Sequence, residues 1–88
     1  MTNKPLSDGK VAGTGTLVLN AGCFGGALIS TDGTNAAVVV VTDNGKKIFD
    51  VSTKTPLFAA GPIFSTGKSL EYSVTGTGAS AQFYEWIA

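Results

Sequence analysis

Eighty-eight residues suffice for one domain, and six lysines against six carboxylates leave the formal charge at zero. With no arginine and no histidine, the chain lacks both the basic patch and the bidentate phosphate readers of a nucleic-acid binder. Cys23 is the one thiol, so an internal disulfide, a structural zinc site and a histidine-assisted nucleophile are excluded, and the chain reads as a part that builds or binds rather than an enzyme.

Residues 1–13 (MTNKPLSDGKVAG) show no periodicity and are broken by Pro5, Gly9 and Gly13. They are expected to form an extended N-terminal arm that orders against a partner, with residues 14–88 as the single domain. From Thr14 onward, strand signals repeat. Residues 14–20 are β-rich and end in an Asn20-Ala21-Gly22 turn. Residues 25–31 carry Leu28 and Ile29 and close at Asp32-Gly33-Thr34, which reads as a hairpin turn. The four valines Val38 to Val41 suit a strand covered on both faces and suit a helix poorly, because branching at Cβ restricts χ1 there.

Asp43-Asn44-Gly45 is a second hairpin signal, since Asn-Gly favours the positive φ angles of a two-residue turn. The strand after it should set Phe49 and Val51 on one face, with Ile48 and Asp50 on the other. Pro56, Gly61 and Pro62 should break the next stretch into short edge pieces around Leu57-Phe58 and Ile63-Phe64. Residues 69–75 alternate cleanly, Leu70, Tyr72 and Val74 against Glu71, Ser73 and Thr75. Gly76-Thr77-Gly78 then turns the chain into a last strand, 79–87. Phe83 and Ile87 are expected inward there, and Tyr84 and Trp86 outward. The longest segments free of Gly and Pro carry strand formers, so no helix of normal length is expected. Seven to eight short strands separated by turns predict an all-β fold, a small antiparallel β-sandwich of jelly-roll type.

Chemistry-bearing clusters are scarce. Asp32, Asp43 and Asp50 could serve as oxygen ligands for calcium, but two of them sit in turns where Asx residues have backbone reasons to be. Glu71 and Glu85 could be imagined as a glycosidase pair, yet Glu71 belongs to the polar side of a regular strand. Neither glycine-rich stretch precedes a helix, so neither is a phosphate cradle. No catalytic residue, metal or cofactor is expected. The hydrophobic share of 43% against 14% charged leaves more apolar surface than one small domain readily covers, which points to self-association. Exposed Tyr84 and Trp86 have the composition of a protein contact surface, and with Lys4, Pro5 and Leu6 of the arm they form the expected interface. No stretch approaches the roughly 20 apolar residues of a membrane-spanning helix, and the polar first ten residues lack the apolar centre of a secretion signal, so no membrane partner and no export signal are expected.

The run Phe64-Ser-Thr-Gly67, then Leu70-Glu-Tyr-Ser-Val-Thr-Gly-Thr-Gly-Ala79, then Phe83-Tyr-Glu85, together with the central element 38–45, resembles small Gly/Thr-rich virion proteins of tailed bacteriophages. The likeness spans residues 14–85, with Lys68 and Ser69 lengthening the approach to the penultimate strand. It implies a β-sandwich that cements or decorates the head shell, as a trimer seated on the major capsid protein at the virion surface after synthesis in the host cytoplasm. The alternative is a receptor- or glycan-binding module of a tail fibre, with Trp86, Tyr84 or Tyr72 stacking on sugar rings. A bacterial adhesin or toxin subunit is a third reading, weakened by the missing secretion signal.

Overall fold

A computed structural model describes residues 2–6, 9–20, 23–64 and 69–87. Within the described residues eight strands follow one another: β1 (Thr2–Pro5), β2 (Gly13–Val18), β3 (Cys23–Ser30), β4 (Ala37–Asp43), β5 (Lys46–Thr53), β6 (Leu57–Phe64), β7 (Ser69–Thr75) and β8 (Ser80–Ile87). They form two antiparallel four-stranded sheets, β1-β8-β3-β6 and β2-β7-β4-β5. The pairs β1·β8, β2·β7, β3·β6 and β4·β5 are those of one long hairpin, folded at the β4–β5 turn and rolled up. That is the jelly-roll order of an all-β sandwich, as the strand signals predict.

Only β4 and β5 are both consecutive and paired. Their turn is the Asn44-Gly45 element, with φ of 52° and 81°, and Asp43 stands opposite Lys46. Asp32-Gly33 does not close a hairpin. The chain there leaves one sheet for the other, and Asp32 Oδ1 accepts the backbone N–H groups of Thr34 (2.9 Å) and Asn35 (2.7 Å) while Oδ2 accepts the Asn35 side-chain amide (2.8 Å). An Asx turn reverses the chain without specifying what the next strand pairs with. These three hydrogen bonds to the ionised carboxylate, above all those from Asn35, hold the Asp32 pKa below its ordinary value.

Period-two alternation places the core. Ala37, Val39 and Val41 are buried, whereas Val38 and Val40 are half-buried on the outer side, so β4 is covered on one face and not on both. Leu70 and Val74 of β7, Leu17 of β2 and Leu19 just after it, Phe24, Ala27 and Ile29 of β3, and Ala79, Ala81 and Phe83 at and before β8 complete the interior. Four rings tie the sheets together: Phe24 meets Phe49 edge-on at 5.3 Å and Phe83 at 6.1 Å, and Phe83 meets Tyr72 at 5.0 Å. Each such pair adds about 0.5–1.5 kcal/mol beyond the area it hides.

Gly15 is part of this packing. It stands opposite Tyr72, and a Cβ on it would lie 2.4 Å from the Tyr72 Oη, so the ring occupies the space a side chain would take. β6 runs unbroken through Gly61 and Pro62, where the sequence suggested separate pieces; its ladder with β3 absorbs them by a register shift between Phe24 and Gly26. As an edge strand it tolerates a proline.

The segment expected as an arm is extended, and it runs along β8 of its own chain. Thr2, Asn3, Lys4 and Pro5 pair with Ile87, Trp86, Glu85 and Tyr84. The Leu6 N–H then donates to the Phe83 carbonyl (2.9 Å), and Val11 exchanges two bonds with Ala81. Without this coverage the edge of β8 would present its backbone groups to solvent. The folded chain exposes 4790 Å², and a compact monomer of its mass exposes about 4,800 Å². The fold therefore closes on itself without borrowing a strand.

Candidate contact surface

The outer side of the β1-β8-β3-β6 sheet carries Tyr84, Trp86 and Pro5, which the sequence offers as contact residues. Antiparallel partners point to the same side, so Tyr84 stands level with Pro5 on β1 and Gly26 on β3, while Leu28 stands level with Gln82 and Phe58. Gly26 has no side chain, which leaves room for Phe58 of β6 to reach Tyr84 across β3; the rings meet edge-on at 5.5 Å. Phe58 remains 44% exposed, Tyr84 and Trp86 are half-buried, and Pro5 is exposed. Leu57, next along β6, is 42% exposed.

An aromatic surface thus spans the sheet from β1 to β6. Of the residues expected as an interface, Tyr84, Trp86 and Pro5 belong to it. Lys4 lies level with Glu85 at the sheet edge, exposed, and Leu6 packs against the core. Phe58 was missed by sequence reasoning. Its pairing across Leu28 to β8 is a long-range fact, and alternation broken by Pro56 and Gly61 gives no side for it.

Glu85 occupies the inward side of β8 with Ala81 and Phe83, as alternation requires, and is 1% exposed. A buried carboxylate needs hydrogen bonds, and the Asn20 backbone N–H donates to its Oε1. That bond tethers the end of β2's chain segment to β8 across the sandwich. Glu71 is exposed on the outer side of the other sheet, so the two glutamates are not a catalytic pair. Cys23 is a free, buried thiol, and no three His, Cys, Asp or Glu residues group to hold a metal among the described residues.

The outer side of the β2-β7-β4-β5 sheet differs in chemistry. Two cross-strand rows, Thr14-Ser73-Val40 and Thr16-Glu71-Thr42, line an open groove of about 350 Å³. It offers hydroxyls and one carboxylate. Gly15 and Tyr72 line it as well, and the Tyr72 ring packs over Gly15 and against Phe83.

No family model, curated protein or solved structure matches this chain.

Proposed function

We infer that the protein is a structural component of a phage virion, a cement or decoration protein that seats on the head shell and bridges capsid subunits. The observation that carries this reading is the aromatic surface of Phe58, Tyr84 and Trp86 with Pro5, on a domain whose strands all pair within the chain. Large, stiff aromatic side chains give contact energy at small entropic cost, and they concentrate where partners bind. Neutral charge permits close packing of many copies, and the resemblance noted above supplies the setting. Lys4 sits at the rim, where a charge tunes encounter more than affinity. A shell held by such clamps must break their contacts in order to expand or burst.

The test is cosedimentation of purified protein with expanded heads, with thermal release of DNA as the second readout. Binding that delays release supports the reading, and no binding to any head form removes it. The hydroxyl-lined groove favours a second reading, a glycan-binding module of a tail fibre. Copy number separates the two: many per head for a cement protein, few per virion for a fibre.

A further inference from the structure

We propose that β2 is a second association surface, through which two copies of the chain pair antiparallel and join their β2-β7-β4-β5 sheets into one. It takes up the self-association expected from the composition, as a two-fold pair where the resemblance implies a trimer, and it uses the sheet that the aromatic surface leaves free.

A sandwich of two open sheets has four edges, here β1, β6, β2 and β5. Alternate residues of an edge strand turn their N–H and C=O groups outward, and proteins blunt such edges with brevity, proline, bulges or lysine. Three of the four edges carry these devices. β1 is four residues long, with an exposed Lys4 and with Pro5. β6 contains Pro62 beside its register shift. β5 opens with exposed Lys46 and Lys47, the latter paired with Asp50 at 3.5 Å, and its ladder shifts so that Ile48 has no opposite residue.

β2, Gly13-Thr-Gly-Thr-Leu-Val18, has none of them. It holds no charge and no proline, and its register with β7 is unbroken over six residues. Among the described residues, no hydrogen bond beyond that ladder reaches it. Its outward side chains are exposed Thr14 and Thr16 and the 65% exposed Val18, all β-branched.

A second copy fits this edge. Opposed residues must share a side, so only registers of like parity are allowed. In the register centred on Thr16, Thr16 meets its own counterpart, Thr14 meets Val18, and Gly15 meets Leu17, which sets small against large twice over about a two-fold axis. No charge faces a charge anywhere along the pair.

The experiment is sedimentation of the wild-type chain from micromolar to millimolar concentration, beside a Thr14→Lys/Thr16→Lys variant and a Ser52→Lys control on β5. All three positions are on the outer side of the sheet, so the fold should tolerate them, and thermal unfolding checks that it does. The expected result is a concentration-dependent dimer whose Kd rises about tenfold or more in the β2 variant and stays unchanged in the control. Amide exchange in wild-type β2 should slow as the dimer fills, a readout that needs no variant.

A monomer at every concentration overturns the proposal, as does a closed trimer or a dimer indifferent to the β2 lysines. A dimer weakened only by Phe58→Ser/Tyr84→Ser also overturns it and assigns association to the aromatic surface instead. Shell binding is scored separately. Its retention in the β2 variant leaves the virion reading standing whatever the sedimentation shows, and its absence in the wild type fells that reading while leaving the dimer measurable.

Discussion

Substituting Gly15 by alanine should destabilise the protein through Tyr72, and the size of the effect follows from three distances. The added methyl carbon would lie 2.4 Å from Tyr72 Oη, 2.6 Å from Cζ and 2.7 Å from Cε2, where non-bonded heavy atoms settle at about 3.5–4.0 Å. The ring must retreat by about 1 Å or more. Any retreat also disturbs its packing on Phe83, whose ring centre is 5.0 Å away. Overpacking of this kind costs about 1–3 kcal/mol, and part of the ring pairing, worth about 0.5–1.5 kcal/mol, is lost with it. Gly15 does not use a positive φ, so alanine also gains about 0.4–1 kcal/mol by restricting the unfolded chain. The net expectation is a loss of about 1–3 kcal/mol, against a total of roughly 4–13 kcal/mol for a domain of this length.

Urea unfolding of a double-mutant cycle isolates the cause. In a Tyr72→Ala background the ring is gone, and Gly15→Ala should become neutral or mildly stabilising, giving a coupling of about 2 kcal/mol. Equal effects in both backgrounds would refute the packing argument, as would a neutral Gly15→Ala in the wild type.

Asp32→Asn should remove a pH-dependent part of stability. The folded pKa of Asp32 is lowered by the N–H donors of Asn35 and Thr34, so its contribution is complete above the ordinary aspartate value and fades as pH falls through the lowered one. Unfolding midpoints measured across the acid range should therefore decline less steeply in the variant. Glu85→Ala removes the acceptor of the Asn20 N–H and should cost about 1–3 kcal/mol by chemical denaturation; an unchanged midpoint would show that the carboxylate holds nothing. Deleting residues 1–6 bares the edge of β8, and the shortened chain should aggregate at concentrations where the full chain stays clear in light scattering.

What could be read from the sequence was local. The alternation of Leu70, Tyr72 and Val74 against their neighbours depends only on the pleat and is observed, and Phe83 lies on the inward side expected of it. Asn44-Gly45 marks a two-residue hairpin because the positive φ it favours is what that turn requires.

Pairing was not legible in the same way. Asp32-Gly33 satisfies its own backbone by an Asx turn whether or not the flanking strands pair, and here they belong to different sheets. The short strand at Thr2–Pro5 has no periodicity to detect, since it is defined by the free edge of β8 some eighty residues away. For the contact surface, period two tells which residues share a side of β8 but not that Phe58 would cross a side-chain-free Gly26 to join them. Glu85 shows the converse. Its side was predictable and its burial was not, because the amide that stabilises it belongs to Asn20, 65 residues away; the turn expected at Asn20-Ala21-Gly22 lies partly outside the described residues.

The most direct test of the account is head binding by a Phe58→Ser/Tyr84→Ser/Trp86→Ser variant compared with the wild type. All three side chains are on the outer side of the sheet, but Tyr84 and Trp86 are half-buried and Phe58 pairs with Tyr84, so the variant should lose some stability, and binding is compared at a temperature where thermal unfolding shows it folded. The account predicts that wild-type protein saturates expanded heads and delays the thermal release of DNA, and that the variant does neither. A variant that remains folded and binds heads as tightly as the wild type would contradict it.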